Sequence, residues 1–405
     1  MALQREKASR PFGFYVDCIW SPNPAAQGRR ERAGGRYRAF IPDPIADRHF
    51  PLDEQPNVAL HEATKALERL QHSPRRVATL GAVAQSLLRS ESVASSRIEG
   101  VLVSHKRLAR VAHLDSDRRR RDSRAVEVLG NVEAMQRAIE AGAANRPFEV
   151  SDLLEIHRLL LRFTEDRKIA GVVRTAQNWI GGNDYNPLGA TFVPPPPEHV
   201  PGLLEDLCRF VARDDLPPVV QAALAHAQFE TIHPFADGNG RTGRALIYAV
   251  LRRRSEVTRY IPPVSLMLAR APKLYVGGLT AYREGNVSDW CETFAVETAR
   301  AAGEAERLAE AIEGLEETWL ERAGRPRSDS AARLLISALP EQPVLDVAIA
   351  QRLTDRSHVA ANNALSRLEE AGILRRLNER KWGRAWECSE LLDLVEDFEE
   401  SVRSS

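Results

Sequence analysis

Apolar residues recur at three- and four-residue steps over most of this chain. Leu60, Ala63, Leu67 and Leu70 open the pattern, which predicts a helix from residue 58 onward. A second helix is expected over 77–97, stopped near Gly100, a residue suited to the left-handed conformation that ends helices. The same period predicts helices over 125–144, 150–163, 200–213, 217–231, 239–254 and 288–322. Before residue 58 the pattern is different: Gly13-Phe-Tyr-Val-Asp and Tyr37-Arg-Ala-Phe-Ile read as short β-type pieces. A second departure covers 177–193, where β-type runs at 178–180 and 190–193 flank a turn region of Gly, Asn, Asp and Pro. That is a hairpin signature inside a helical protein, and Pro194 to Pro197 force an extended exit from it.

Charge changes the reading of one segment. Residues 104–124 are dense in ionic groups, including Asp117-Arg-Arg-Arg-Arg-Asp122, and read as a solvated loop or helix face. Residues 323–330, with Gly324, Pro326 and two serines, read as a linker. Beyond it, helices are expected at 331–338, 345–353 and 358–370, with a turn at 354–357 before the third. Strand-like pieces at 373–377 and 384–388 then surround a basic turn. This order resembles a winged helix-turn-helix domain. His358, Asn362, Asn363, Ser366 and Arg367 could face a DNA groove, with Arg375, Arg376, Arg380, Lys381 and Arg384 as a basic wing; the rival reading is a protein-interaction module.

The 405 residues are 43% hydrophobic and 28% charged with a formal net charge of zero, so composition selects neither nucleic acid nor membrane as a partner. Cys18, Cys208, Cys291 and Cys388 lie far apart, which argues against a disulfide framework or zinc site. No apolar run approaches the roughly 20 residues that span a bilayer, and Met1-Ala-Leu-Gln-Arg-Glu-Lys lacks a secretory core. A cytoplasmic location is expected, with no membrane partner.

The candidate chemistry is concentrated in His233-Pro-Phe-Ala-Asp-Gly-Asn-Gly-Arg-Thr-Gly-Arg244. A histidine accepts a proton near neutral pH. Asp237 is a hard oxygen ligand suited to Mg²⁺. Gly238-Asn-Gly240 allows backbone N–H groups to converge on an anion at the start of the next helix. Arg241 and Arg244, three apart, share a helix face and can grip phosphate oxygens. The set describes a phosphoryl- or nucleotidyl-transfer site. Two other phosphate motifs fail here. Gly238 to Gly243 fits GxGxxG, but a helix precedes it where a dinucleotide fold needs a strand, and no lysine follows as in a P-loop.

The twelve residues match HxFx(D/E)GNGRxxR, the motif of the Fic family, at every fixed position, and the chain resembles that family over roughly residues 37–300. The resemblance implies a mostly α protein: an all-helical Fic core with a β-hairpin flap, followed by the winged helix-turn-helix domain. It implies transfer of AMP from ATP to a Ser, Thr or Tyr hydroxyl of a protein, including itself, with release of pyrophosphate. His233 would be the general base, Phe235 a core anchor and Asp237 the Mg²⁺ ligand. Gly238, Asn239 and Gly240 would cradle the ATP phosphates, and Arg241 and Arg244 would contact the β/γ region. Ser95-Ser-Arg-Ile-Glu99-Gly100 resembles the family's inhibitory motif, in which Glu99 would pair with Arg244. The 177–193 hairpin would take the target as an added strand, with Ile180 or Phe192 as a clamp. The expected organisation is 1–105 as an N-terminal region with the inhibitory helix, 106–322 as the catalytic core, and 331–405 as the winged helix. A homodimer is among the expectations. Two rival functions stand beside transfer: removal of AMP from modified proteins, and a DNA-binding regulator whose core senses nucleotide. Of the lesser features, His226, Trp179 and Trp290 read as packing residues, and Asn286-Val-Ser288 fits a glycosylation sequon without a secretory signal.

Overall fold

A computed structural model describes residues 11–25, 27–50, 54–72, 77–113, 121–254, 260–377 and 384–404. Strands β1 (Gly13–Trp20) and β2 (Gly35–Pro42) come first. Helices follow as α1 (Glu54–His72), α2 (Val77–Ile98), α3 (His105–His113), α4 (Ser123–Ala143), α5 (Val150–Leu161), α6 (Val200–Val211), α7 (Pro218–Ile232), α8 (Asn239–Arg253), α9 (Val264–Arg270), α10 (Pro272–Arg283) and α11 (Val287–Arg322). The remainder is α12 (Ala331–Ala338), β3 (Val344–Asp346), α13 (Val347–Thr354), α14 (His358–Glu370), β4 (Arg375–Arg376), β5 (Ala385–Glu387) and α15 (Ser389–Ser404). The chain is thus mostly helical, as its periodicity predicts.

The residues pack as two units. The first takes Met1–Glu62, Arg137–Arg254 and Pro272–Val296; the second takes Ala63–Gln136, Ser255–Ala271 and Glu297–Ser405. At the centre of the first lies α7, whose residues from Val219 to Ile232 are all buried. Its sequence is apolar on every face, the pattern of a helix enclosed by others. Its two glutamines are satisfied by backbone and by a neighbouring side chain. Gln221 Nε2 donates to the carbonyls of Phe210, Val211 and Arg213, and Gln228 Nε2 donates to Asp43 O while its Oε1 accepts from the Tyr282 hydroxyl. Trp290 is fully buried with its indole N–H on Ala223 O at 2.8 Å, a packing role as expected. The end of α4 crosses α8 at Gly142, where a Cβ would lie 2.2 Å from Ala249 O. β1 and β2 form an antiparallel ribbon from Gly13↔Pro42 to Trp20↔Gly35.

In the second unit Val93, Val103, Leu108, Val111, Ala125, Val126 and Val128 form one apolar cluster. The last 75 residues contribute a three-stranded sheet ordered β3-β5-β4. Glu387, on the central strand and fully buried, is gripped by Arg110 of α3 through Nε (2.6 Å) and Nη2 (2.8 Å), and by Arg375 Nη2 at 2.5 Å.

The structure departs from the expectations in five places. Residues 104–124 are more than a solvated segment: α3 buries His105, Leu108, Ala109 and Val111, a stripe that surrounding lysine and arginine obscure; residues 114–120 of this segment lie outside the described residues. α9 and α10 were not expected, because Pro263, Pro272 and the pair Gly277-Gly278 interrupt the period. The helix expected over 345–353 starts at Val347, capped by the Asp346 carboxylate on Ile349 N at 2.8 Å, and the residues before it pair as β3. Residues 389–404, for which the sequence predicts no element, form the helix α15. Over 177–193 the chain runs mostly as turns, with a single antiparallel bridge between Ile180 and Phe192 in place of two strands.

Candidate functional site

Helix α7 ends at His233, whose backbone is left-handed (φ 49°, ψ 61°) and whose N–H donates to Phe229 O at 2.9 Å. A non-glycine residue there costs about 1–2 kcal/mol, so the surroundings must hold it. Arg174 does much of this. Its Nε donates to His233 O (2.9 Å), its Nη2 to Pro195 O (2.6 Å) and its Nη1 to Ala176 O (3.1 Å), while its backbone N–H donates to Pro234 O (2.9 Å). Burial pulls this guanidinium down to about 10, with Glu198 and Tyr37 opposing the shift. Asn178 Nδ2 adds donations to His233 O (3.3 Å) and Phe235 O (2.9 Å).

Asn239 closes the loop on itself: its Oδ1 accepts from Phe235 N and its Nδ2 donates to Phe235 O, both at 2.8 Å. Phe235 is fully buried and stacks on His157, with centroids 3.7 Å apart and planes 7° apart. His157 Nδ1 accepts from Gly171 N at 2.9 Å, so its Nε2 carries the hydrogen and donates to Asp237 O at 2.9 Å. Burial lowers His157 to about 4, against the Asp237 contacts that would raise it. The ring is therefore a neutral strut under the loop.

Gly238 (φ 75°) turns the chain into α8, and a Cβ there would meet Leu160 Cδ2 at 3.0 Å. The first backbone N–H groups of α8 and the partial positive charge of its N-terminus follow at once. Arg241 and Arg244 are 4% and 1% exposed. The Asp237 side chain is 54% exposed, with Oδ2 3.5 Å from Arg241 Nη2. Glu230, one turn before His233, places Oε2 3.9 Å from the imidazole Nδ1. Gly243 gives room to that carboxylate, since a Cβ there would lie 2.4 Å from Glu230 Oε1. An imidazole, an exposed carboxylate and two arginines thus gather at one helix start, a site built to receive a polyanion beside a proton acceptor.

The structure brings together His233, Asp237, Gly238, Asn239, Gly240, Arg241 and Arg244 on this loop and the first turns of α8. Ser95 and Glu99 belong to the second unit. Ser95 is buried in α2; Glu99 is exposed in the closing turn, its N–H on Ser96 O at 3.1 Å, before Gly100 at φ 81°. Ile180 is 40% exposed, whereas Phe192 is buried under Arg283, whose guanidinium carbon is 4.2 Å from the ring centroid. His226 is packing: fully buried, bonded to the Tyr275 hydroxyl at 2.8 Å, and pushed down to about 3 by burial. Trp179 stacks edge-on against Trp20. In the C-terminal segment Arg376 pairs with Glu369, Arg384 donates to Asn362 Oδ1, and Arg367 donates to Ala323 O; Arg380 and Lys381 lie outside the described residues. Sequence reasoning missed Arg174, Asn178, His157 and Glu230. The first three sit 55–80 residues from their loop partners, so no local pattern marks them. The signal for Glu230 was its spacing of three from His233 on a helix.

The described cysteines are unpaired by disulfide, and no helix among the described residues is long and apolar enough to cross a membrane. Comparison with known proteins bears on the same loop. The Fic/DOC family profile matches residues 147–251, and the Fic/DOC family N-terminal profile matches 58–140. Protein adenylyltransferase fic-1 of Caenorhabditis elegans is 33% identical over 129 residues, 31% of this chain and 22% of that protein. Protein adenylyltransferase Fic of Drosophila virilis is 28% identical over 278 residues, 65% of this chain and 49% of that one. The chain therefore spans at most about half the length of these curated relatives. A crystal structure of a Fic family protein from Desulfovibrio desulfuricans G20 shares the fold, with a TM-score of 0.50 at 21% identity over 84% of this chain and 97% of that one. The matched Fic/DOC profile encloses the whole loop and its struts, His157, Arg174 and Asn178 included, and on these grounds the chain carries a Fic/DOC family domain over residues 147–251, with the family's N-terminal region over 58–140.

Proposed function

We propose that the protein transfers AMP from ATP to a Ser, Thr or Tyr hydroxyl of a protein, itself included. The observation that carries this is the placement of His233, in a strained and firmly held backbone, next to the glycine-rich start of α8 with its two buried arginines. His233 takes the proton of the target hydroxyl. The oxygen forms a bond to the α-phosphorus, the bond from that phosphorus to the bridging β-oxygen breaks, and pyrophosphate leaves. Gly238, Asn239 and Gly240 present backbone to the phosphates, while Arg241 and Arg244 neutralise charge at the leaving end. Asp237 is a candidate position for a metal ion. Asp237 offers an exposed hard carboxylate, and no cluster of three or more His, Cys, Asp or Glu ligands occurs among the described residues. Mg²⁺ suits a site of one carboxylate completed by phosphates and water, and would supply charge neutralisation there.

We propose further that Glu99, exposed at the end of α2, restrains transfer by pairing with Arg244 as the family resemblance implies. The 177–193 segment would accept the target in extended form, with exposed Ile180 on its face. The order of α12 to β5 supports the winged-helix reading of 331–405, while the internal pairing of Arg375, Arg376 and Arg384 favours protein over DNA as its partner. Salt-dependent binding to duplex DNA would overturn that preference.

One assay tests the main reading. ATP labelled at the α- or γ-phosphate is supplied to the wild type, Glu99→Gly and His233→Asn. Label from the α-position alone, increased by Glu99→Gly and lost with His233→Asn, is the expected result. Label from the γ-position would make the protein a kinase. Free AMP released from an already modified protein would establish removal as a second activity.

A further inference from the structure

Beside the loop, and wholly within the first unit, lies a cavity of about 480 Å³. Ala236, the motif residue between Phe235 and Asp237, forms part of its wall, as do Asn178 and Trp179 at the start of the 177–193 segment. A side chain near the acceptor hydroxyl of a target running along that segment would fall into it, if transfer proceeds as proposed above. The volume lies in the range of ligand pockets.

The wall is apolar along its length and rich in acceptors. Ile169, Val172, Val173 and Trp179 supply the apolar part. Gln177 Nε2 is spent on the carbonyls of Asn178 and Pro194, both at 2.9 Å, and Asn178 Nδ2 on those of His233 and Phe235. With their amino ends so fixed, Gln177 Oε1 and Asn178 Oδ1 are buried without a hydrogen-bond partner. Exposed Asp184 adds a carboxylate. Donors are scarce. Arg174, the basic residue of the wall, directs its guanidinium to the carbonyls of Ala176, Pro195, Ile232 and His233, and the Trp179 indole N–H is taken by Asn183 O at 2.6 Å. Such a wall disfavours an acidic side chain, because two amide oxygens and a carboxylate repel it. It suits an apolar stem ending in a cation. A planar guanidinium can also lie on the Trp179 ring and keep its N–H groups for the acceptors.

We propose that this cavity is a specificity pocket for an arginine side chain of the target segment, close in sequence to the hydroxyl that receives AMP. The proposal rests on the transfer reading for its purpose, but its recognition chemistry is testable by binding alone. Fluorescent twelve-residue peptides carrying one serine, with arginine, citrulline, norleucine or glutamate placed up to three residues from it, are titrated against the full-length protein by anisotropy. Arginine peptides are expected to bind about tenfold more tightly than norleucine peptides, equivalent to about 1.4 kcal/mol, with citrulline between and glutamate weakest. Asp184→Asn and Gln177→Met should each reduce the arginine advantage, with the fold of both variants checked by circular dichroism. Equal binding of arginine and norleucine peptides, binding by none of them, or an arginine preference that survives both substitutions would overturn the proposal. AMP transfer to the same peptides is scored separately. Arginine-selective binding without transfer upholds the pocket and counts against the transfer reading.

Discussion

At the residue scale, His233 carries two properties at once: an imidazole and a left-handed backbone. Alanine at this position removes the first and strains the second, so a lost activity would not separate chemistry from geometry. Asparagine tolerates the left-handed region. His233→Asn is therefore expected to lower transfer by about 10²–10⁴-fold, the contribution of a positioned base, while keeping the thermal stability of the wild type. His233→Ala should show the same kinetic loss with a lower melting temperature, compared by calorimetry. Glu230 and Gly243 form a second residue-scale device. The methyl of Gly243→Ala would press on Glu230 Oε1 and on Phe229 Cδ1, 2.9 Å away, and so displace the carboxylate facing His233. A drop in turnover of about 10–100-fold, with little change in ATP affinity, is the expected outcome. Steady-state kinetics beside ATP-binding calorimetry would distinguish this from loss of the phosphate cradle.

At the scale of elements, the tightest approach is between α4 and α8. Gly142→Ala places a methyl 2.2 Å from Ala249 O, a backbone atom that moves only with its helix. Overpacking of this kind costs about 1–3 kcal/mol, so urea unfolding of the variant should show a lower midpoint with an unchanged slope. Local periodicity made α1, α2, α4 to α8 and α11 legible, because each repeats its apolar residues over several turns. It failed where the repeat is short or interrupted, as in α3 with its dense charge and α10 with Gly277-Gly278. The site divides in the same way. The residues from His233 to Arg244 are contiguous and could be read directly. Arg174 and His157 act through backbone carbonyls of that loop, contacts that exist only once α5 and the 171–178 segment are packed beside it.

At the scale of the whole molecule, acid is the condition to which the fold is most exposed. His157 and His226 are buried as neutral rings, lowered by burial to about 4 and about 3 from 6.5. Their stabilising effect is complete above pH 6.5 and is lost as pH falls toward those values, because the unfolded chain binds the protons first. Glu387 acts lower. Burial alone would raise its carboxyl, but hydrogen bonds from Arg110, Arg375 and Ser389 hold it at about 2, so its contribution is present above 4.5 and fades toward pH 2. Melting temperature should fall steadily between pH 6.5 and 4 and more steeply below; a flat profile over the first interval would contradict the neutral assignment of the two histidines.

The division into packed units has a consequence for the order of synthesis. The first unit, which holds the whole 233–244 loop, draws its last residues from Pro272–Val296, whereas the second waits for Glu297–Ser405. A growing chain completes the parts of the proposed transfer site before residues 297–405, which pack with the unit that bears Glu99, are made. On the proposed reading of transfer restrained by Glu99, the nascent protein would acquire its catalyst before its brake, and its own emerging chain would be the first hydroxyl-bearing substrate within reach.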